Sequence, residues 1–138
     1  MREILFRGKL TDNCEWAYGV PTKDNHGEMV MVESTFECEE YNCRGANCLY
    51  VDENTVGQYT GLTDKNGTKI FEGDILHCTA RLDSANMVVI YKDAEFRLVP
   101  CDRYKLYTTG MGYKYFGSLI TEVIGNIYDN PELLEVKE

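Results

Sequence analysis

The stretch QYTGLTDKNGTKIFEGD, residues 58–74, decides the fold because it places turn-forming residues between short apolar segments. Asp64, Asn66 and Gly67 have the composition of a tight turn that tolerates left-handed backbone. A glycine–acid pair at the end of the stretch predicts a second corner before an apolar strand. We therefore interpret the stretch as a connection between paired strands. Its predicted turn residues are Gly61, Asp64, Asn66, Gly67, Gly73 and Asp74.

The same stretch does not match the loops that bind calcium or phosphate. Counted from Asp64, a calcium loop requires glycine at the sixth position and glutamate at the twelfth, and this chain has Lys69 and Ile75 there. A phosphate loop has four residues between its glycines, whereas five residues separate Gly61 from Gly67. The composition therefore favours a structural turn over a ligand loop.

The length and apolar content indicate one ordinary domain. The chain has 138 residues, of which 43% are hydrophobic, and this is enough to bury a sizeable core. The longest apolar stretches, Met29–Val32 and Met87–Tyr91, are far shorter than the roughly 20 residues of a membrane span. The opening residues MREILFRGKL lack the apolar segment of a secretory signal. We therefore expect a single cytoplasmic domain over residues 1–138 without a membrane partner.

The chain is acidic along its whole length. Its net charge of −9 comes from 14 Lys and Arg against 23 Asp and Glu. Residues 1–69 carry 7 basic and 12 acidic side chains, and residues 70–138 carry 7 and 11. Such a chain repels nucleic acid at long range, although a local basic patch could still bind it.

Strand signals dominate the sequence. Short runs rich in β-branched and aromatic residues alternate with Gly, Asn and Asp at the spacing of a β-sandwich or small barrel. The fold class predicted is mainly β, a small barrel-like antiparallel sheet with one or two short helical turns. The predicted strands are Glu3–Arg7, Glu15–Val20, Met29–Glu33, Leu49–Val51, Thr55–Thr60, Asp74–Leu82, Met87–Lys92, Phe96–Val99, Lys114–Ser118 and Glu122–Tyr128.

Turns connect these strands, and two segments have helical signals. TDNCEW (11–16) reads as a hairpin turn with Asn13 suited to positive φ, and LDSAN (82–86) and YKDAEF (91–96) read as further turns. STFECEEY (34–41) opens with a serine and a glutamate at the spacing of a capping box. The segment therefore forms either a short helix or no helix. In NPELLE (130–135), the asparagine can cap and the proline suits the first helical position. The predicted turn residues in the C-terminal part are Gly125, Asn130 and Pro131.

Four segments of the chain form a collinear pattern: MREILFRGK (1–9), DNCEWAYG (12–19), TVGQYTGLTDKNGTKIFEGDIL (55–76) and VIGNIYDNPELL (123–134). Together they resemble the YopX family of small phage and prophage proteins. The resemblance implies a mostly β, barrel-like cytoplasmic protein that associates with itself and has no established biochemical activity.

Cys14 departs from the family pattern, which usually reads Asp-Asn-Gly in the first turn. A cysteine in that place would carry about 1 kcal/mol of strain if its φ were positive. Either the turn holds this strain or it is of another type.

The six cysteines are expected to be thiols in a reducing compartment, with a metal site as the alternative. Cys38, Cys43 and Cys48 are each separated by four residues, which is the upper limit for a zinc knuckle. Positions five apart diverge on a helix and face opposite ways on a strand, so only an irregular loop could bring them together. The candidates for a fourth ligand are Cys14, Cys78 and Cys101.

Candidate catalytic groups are sparse. His77 is adjacent to Cys78, but neighbours along a strand point to opposite faces, which argues against a catalytic pair. His26 lies beside a glycine in a predicted exposed turn. Glu72 and Asp74 would lie on one face if the strand begins early and could then share a divalent ion. The alternative is that Asp74 accepts hydrogen bonds from backbone in its corner.

The most specific binding signal is the interleaving of tyrosines with basic residues in RYKLY (103–107) and YKYF (113–116). Bases stack on aromatic faces while cations hold phosphates. The same pattern is typical of a hairpin with half-buried tyrosines or of a subunit interface rich in Tyr. The candidate binding residues are Arg103, Tyr104, Lys105, Tyr107, Tyr113, Lys114 and Tyr115.

The leading hypothesis is a non-catalytic, phage-encoded β-barrel module that forms a homo-oligomer, binds a macromolecule and requires no cofactor. One alternative is an acidic modulator of a basic host protein, suggested by the net charge of −9. The other is a metal-dependent hydrolase that uses Glu72 and Asp74 or the cysteines.

Overall fold

The computed structural model describes residues 2–38, 43–104, 111–112 and 119–134. Contacts within the chain divide into two compact units, Met1–Tyr59 (unit 1) and Thr60–Glu138 (unit 2). The expectation of one domain over residues 1–138 stays a prediction.

Antiparallel strands and three short 3-10 turns, Glu53–Thr55, Cys101–Arg103 and Pro131–Leu134, account for the regular structure of the described residues. This confirms the predicted mainly β class with short helical turns. The strands are β1 (Phe6–Lys9), β2 (Trp16–Lys23), β3 (Met29–Cys38), β4 (Cys43–Tyr50), β5 (Gly57–Thr63), β6 (Lys69–Phe71), β7 (Asp74–Ala80), β8 (Asp83–Lys92), β9 (Glu95–Pro100), β10 (Met111–Gly112) and β11 (Ile120–Asn126).

Unit 1 is built on a sheet in the order β4-β3-β2-β1, and the start of β5 pairs with β1. Ala17 of β2, Met31 of β3 and Val51 just after β4 form its buried cluster, and Met31 has no exposed surface. Side chains two residues apart on a strand share a face, so Tyr18 and Val20 lie on the face opposite Ala17. The sheet of unit 1 therefore buries one face in this cluster, while its other face exposes Tyr18 and Val20 and buries Val30.

Unit 2 contains a sheet in the order β10-β9-β8-β7-β11, together with β6 and the end of β5. Leu76, Val89 and Leu98 belong to one buried cluster, and Ile75 and Val88 belong to another. Since adjacent strand residues point to opposite faces, β7 and β8 bury both of their faces. This explains why β8 contains a continuous apolar run, Met87–Tyr91, and not an alternation of apolar and polar residues.

The helix considered for STFECEEY (34–41) is wrong, because β3 continues through Cys38. The continuation pairs with β4, which begins at Cys43 and is much longer than the predicted strand Leu49–Val51. Cross-strand pairing over this hairpin replaces the single hydrogen-bonded turn that a capping box at Ser34 could support. The remaining residues of the segment, 39–41, lie outside the described residues, as does the predicted strand Lys114–Ser118.

The observed turns agree in part with those predicted from the sequence. The turn predicted in YKDAEF is confirmed, because Asp93 and Ala94 both have positive φ, at 53° and 64°, between β8 and β9. The turn predicted over LDSAN is wrong: the chain reverses at Arg81 and Leu82, and β8 begins at Asp83. The difference arises because residues 83–86 form hydrogen-bonded pairs with β7, which makes them part of the strand and not of the turn.

The first hairpin turn places its positive φ at Cys14 (60°) and not at Asn13. Asn13 instead accepts a hydrogen bond from the Glu15 amide through Oδ1, at 2.9 Å. The backbone amide of Cys14 donates to the Leu10 carbonyl at 3.1 Å and closes the turn. Cys14 therefore holds the strain of about 1 kcal/mol that glycine would avoid.

Two strands contain an extra, unpaired residue. The register of β3 shifts between Val32 and Ser34, and that of β11 shifts between Val123 and Gly125. A Cβ on Gly125 would overlap the side chain of Asn130, whose Oδ1 accepts a hydrogen bond from the Asn126 amide at 3.2 Å. Gly125 is therefore required within the strand for close approach and does not itself form a turn.

Candidate functional site

Asp64 anchors the turn between β5 and β6. Its Oδ1 accepts hydrogen bonds from the backbone amides of Asn66 and Thr68, each at 2.9 Å. Its Oδ2 accepts from the amide of Val123 in β11, also at 2.9 Å. Only 7% of the Asp64 surface is exposed. The carboxylate therefore links the turn to a strand 59 residues away along the chain.

Asp24 builds the same turn between β2 and β3 in unit 1. Its Oδ1 accepts from the backbone amides of His26 and Glu28, each at 2.9 Å. The amide of Gly27 donates to the Asp24 carbonyl at 3.1 Å, and the corresponding bond from Gly67 to Asp64 measures 3.0 Å. The chain thus repeats one turn design, Asp followed by Gly three residues later, which the sequence analysis did not identify.

The predicted turn residues around Asp64 behave as expected for a structural corner, with one exception. Asn66 and Gly67 lie in the turn, and Gly67 has a φ of 81°. Gly61 lies within β5, where its φ of 89° marks an irregular strand residue and not the turn. Every hydrogen bond given above for the Asp64 carboxylate comes from backbone, so this stretch connects strands.

Hydrogen bonding keeps Asp64 ionised. Burial raises the pKa of Asp64, but the amides of Val123, Thr68 and Asn66 donate to the carboxylate and outweigh it, so the pKa lies below its ordinary value. A group whose pKa is lower in the folded state stabilises the fold above its unfolded-state pKa, here about 3.9. That contribution is lost as the pH falls through the folded-state value.

A pH series tests this assignment. We expect the difference in melting temperature between the unsubstituted protein and Asp64→Asn to be largest at neutral pH and to shrink below pH of about 4. Protonation removes the same charge that the substitution removes. Circular dichroism at a series of pH values measures the difference, and a difference that stays constant into acid would contradict the assignment.

Asp74 forms the second corner. It is the first residue of β7, is only 2% exposed, and its Oδ2 accepts from the Phe71 amide at 2.8 Å. Glu72 lies in the turn before β7, so the strand does not begin early enough to place both carboxylates on one strand face. Gly73 donates to the Val89 carbonyl at 2.8 Å. Asp74 is therefore a structural residue of the corner, as in the alternative derived from the sequence.

The two histidines lie in different settings. Nδ1 of His77 is 2.8 Å from Oδ1 of Asn86, its direct cross-strand partner on β8. Cys78, the next residue, is buried, whereas His77 is half-buried, as expected for strand neighbours on opposite faces. His26 is exposed in the Asp24 turn. The structure thus separates His77 from Cys78 as the sequence analysis expected.

The cysteines are distributed over several positions of the fold. Cys38 and Cys43 are direct register partners at the end of the β3–β4 hairpin. Cys48 pairs with Val32 further along β4 and is exposed. Within the described ranges, no group of three or more His, Cys, Asp and Glu side chains could hold a metal ion.

Most of the predicted tyrosine-rich binding segment lies outside the described residues: Lys105, Tyr107, Tyr113, Lys114 and Tyr115. Arg103 ends the 3-10 turn after β9. Tyr104 is half-buried and packs on the cluster of Ile75, Val88 and Cys101. The structure thus gives Tyr104 a packing role, and binding by the segment stays a prediction.

The outer face of the unit 1 sheet carries a group of uncharged side chains, three exposed and one, Val32, half-buried. We call this group the tyrosine face: Tyr18, Val20, Val32 and Tyr50. The exposed fractions are 45% for Tyr18, 53% for Val20 and 54% for Tyr50. Val20 pairs with Val32, and Tyr50 pairs with Val30, two residues from Val32 on β3. Because cross-strand partners share a face, all four lie on one surface. Sequence reasoning missed it, although alternate residues of β2 are apolar.

Aromatic and cationic side chains extend this surface onto β1. The Arg7 guanidinium carbon lies 4.4 Å from the centre of the Trp16 ring, and Nζ of Lys9 lies 5.3 Å from it. Arg7 pairs with Tyr18, and Lys9 pairs with Trp16. A cation over an aromatic ring gains electrostatic attraction, so these contacts stabilise the pairing of β1 with β2.

Hydrogen bonding holds Tyr50 in place at one end of the tyrosine face. Its hydroxyl donates to Oδ2 of Asp24 at 3.1 Å, which raises the pKa of Tyr50. Hydrogen bonds led by that from the Glu28 amide lower the pKa of Asp24. Both groups line an open cavity of about 670 Å³ with His26 and Met29. The pair fixes the Tyr50 ring on the edge strand β4.

None of the helical segments in the described part of the chain has the length and apolar character of a membrane-spanning helix.

Comparison with known proteins agrees with this architecture. The crystal structure of protein EF1440 from Enterococcus faecalis is similar with a TM-score of 0.62 and 28% identity, covering 98% of this chain and 100% of that one. The crystal structure of protein yopX from Bacillus subtilis shares the fold with a TM-score of 0.54 and 21% identity, covering 95% and 98%. No curated protein matches the chain. The model of the YopX protein family matches residues 5–135, and the chain therefore belongs to the YopX family.

Proposed function

We propose that this protein is a non-catalytic, phage- or prophage-encoded binding module that works in the host cytoplasm and associates with itself through the tyrosine face. The phage origin and the cytoplasmic location are supported by the family resemblance and by the apolar pattern of the sequence. The observation that carries self-association is the exposure of Tyr18, Val20 and Tyr50 on one sheet face.

The chemistry of this face suits a second copy of the chain. Tyrosine is enriched at protein interfaces because it combines a large apolar ring with a polar tip. The chain carries a net charge of −9, so two copies repel each other wherever acidic side chains meet. The four side chains of the tyrosine face carry no charge at neutral pH, and contact there avoids that repulsion.

The assignment as non-catalytic rests on how the buried polar groups are used. The carboxylates of Asp64 and Asp74 accept hydrogen bonds from backbone amides. Asn126 accepts from the amides of Tyr128 and Asp129 at 3.0 and 2.8 Å. Groups held in this way maintain turns and corners, and all three are buried, which leaves them little surface for a substrate.

Substitution of Val20 tests the interface. We expect the unsubstituted protein to sediment as a species larger than the 15.8 kDa monomer at micromolar concentration. Val20→Glu should weaken the association about tenfold or more, because it buries an unpaired charge in an apolar contact. Analytical ultracentrifugation over a range of concentrations measures both.

Leu82→Glu is the matched control. Leu82 is fully exposed in the turn before β8 of unit 2 and is not a residue of the tyrosine face. The same added charge there should leave the association constant unchanged. A monomer at all concentrations, or equal effects of the two substitutions, would refute the proposed interface.

The net charge of −9 favours a second candidate function, an acidic modulator that covers a basic surface of a host protein. Such binding weakens steeply with salt because exposed charges are screened. Capture from host lysate at low and high salt tests it. A set of bound proteins that does not change with salt would argue against this candidate.

A further inference from the structure

Asn66 is the only asparagine in the chain that is followed by a glycine. Both Asn66 and Gly67 are exposed in the Asp64 turn between β5 and β6. An Asn-Gly pair is chemically labile, because glycine has no side chain to keep its backbone nitrogen from the asparagine side chain. In the matching turn of unit 1, Asn25 is followed by His26, whose side chain hinders that approach. Sequence and exposure thus distinguish Asn66 as the residue most open to this reaction.

The Asp64 turn restrains the two reacting groups. The backbone nitrogen of Gly67 is the nucleophile of the reaction, and its amide donates to the Asp64 carbonyl at 3.0 Å. The amides of Asn66 and Thr68 donate to Oδ1 of Asp64 at 2.9 Å each. These three bonds fix the backbone on both sides of the peptide bond between Asn66 and Gly67. Ring closure rotates that peptide bond away from the Asp64 carbonyl, so the turn must open first.

We propose that Asn66 is a deamidation site gated by the Asp64 turn, slow to react while the turn is closed and fast when it opens. The backbone nitrogen of Gly67 attacks Cγ of Asn66 and loses its proton. The bond from Cγ to the side-chain nitrogen breaks, and ammonia leaves with that proton. Water then opens the resulting succinimide ring at either carbonyl and gives aspartate or isoaspartate. No group is oxidised or reduced, and water is the only co-reactant.

Both products disturb the corner that Asp64 holds. Aspartate at position 66 adds a negative charge two residues from the Asp64 carboxylate, and like charges repel. Isoaspartate routes the main chain through the former side chain and lengthens it by one carbon, which displaces the Thr68 amide from Oδ1 of Asp64. Either change favours the open turn. Because the ammonia is lost, the modified fraction records how long the turn has been open.

Peptide mapping tests the site and the gate together. The full chain is incubated at mildly alkaline pH, either folded in buffer or unfolded in guanidinium chloride, and is then digested with chymotrypsin. Cleavage after Leu62 and Phe71 releases the peptide 63–71, whose only asparagine is Asn66. Mass spectrometry measures its deamidated fraction over time. We expect the folded chain to react at least about tenfold more slowly than the unfolded chain, because only the opened turn reacts. Asn25 should react slowly in both states.

Asp64→Ala opens the gate without changing the reacting pair. In the folded variant we expect deamidation of Asn66 to be about tenfold faster than in the folded unsubstituted chain, because the turn opens more often. Asp24→Ala, which loosens the matching turn of unit 1, should leave the rate at Asn66 unchanged. Circular dichroism checks that each variant is folded, and if Asp64→Ala is not, the folded and unfolded unsubstituted chains decide.

Three results would overturn the proposal. Equal rates for the folded and unfolded chains, or no effect of Asp64→Ala in a folded variant, would show that the turn is not a gate. An Asn66 that reacts no faster than Asn25 in the unfolded chain would show that it is not the preferred site.

Discussion

Replacing Asp64 with alanine is expected to lower the free energy of unfolding by about 3 kcal/mol, since hydrogen bonds to a charged acceptor are strong and their loss leaves donors without a partner. The substitution removes the carboxylate that accepts hydrogen bonds from the backbone amides of Asn66, Thr68 and Val123. The Val123 bond matters most, because it connects the turn to β11 and the neighbouring amides lie closer to solvent. Urea denaturation followed by circular dichroism measures the effect.

Asp24→Ala is the matched control for this prediction. The turn has the same geometry and the same two amide bonds to Oδ1, but Oδ2 of Asp24 accepts from the Tyr50 hydroxyl and not from a distant backbone amide. We expect a clearly smaller loss of stability than for Asp64→Ala. If the two substitutions cost the same, the long-range bond to Val123 contributes nothing, and our account of Asp64 is wrong.

Gly19→Ala is expected to destabilise unit 1 by about 3 kcal/mol, the upper part of the usual range for forced overpacking. A Cβ at this position would overlap the carbonyl oxygen of Val32 and lie 2.8 Å from its carbonyl carbon. Both are backbone atoms, so no side-chain rotation relieves the overlap. The Val32 carbonyl adjoins the register shift of β3, and the strand pair must move apart to admit a methyl group.

Trp16 is the only tryptophan in the chain and lies on β2, so its fluorescence during urea unfolding reports on this change directly. Gly27→Ala provides the control, because Gly27 has a φ of 80° but no atom within 4 Å of an added Cβ. It should cost only about 1 kcal/mol from backbone strain. A cost for Gly19→Ala no larger than that of Gly27→Ala would show that β2 and β3 tolerate the extra atom.

Local composition was sufficient to predict most of the corners. Asp64, Asn66, Gly67, Gly73 and Asp74 were assigned to turns from residue type alone, and the structure places each in a turn or at the start of a strand. The requirement for positive φ after a hydrogen-bonding acid is a property of a few consecutive residues. The same reasoning failed at Gly61, because its positive φ serves an irregularity inside β5 and not a chain reversal.

Strand pairing determined the secondary structure of the segments whose local sequence signals were weak. Ser34 and Glu37 have the spacing of a capping box, yet both lie in β3 opposite residues of β4. A helix of one or two turns has few hydrogen bonds to offset its nucleation cost, whereas the hairpin forms a continuous ladder. The sequence of residues 34–38 is compatible with both, and only the partner strand selects one.

By itself, the sequence determined the class of the fold, the family and the positions of the acid–glycine turns, since these depend on periodicity and residue type over short stretches. The tertiary structure alone decided that Asp64 binds the amide of Val123, that Tyr18, Val20 and Tyr50 share a face, and that Cys38 opposes Cys43. Each of these depends on which strands pair and in which register, and a shift of one residue would move every side chain to the other face.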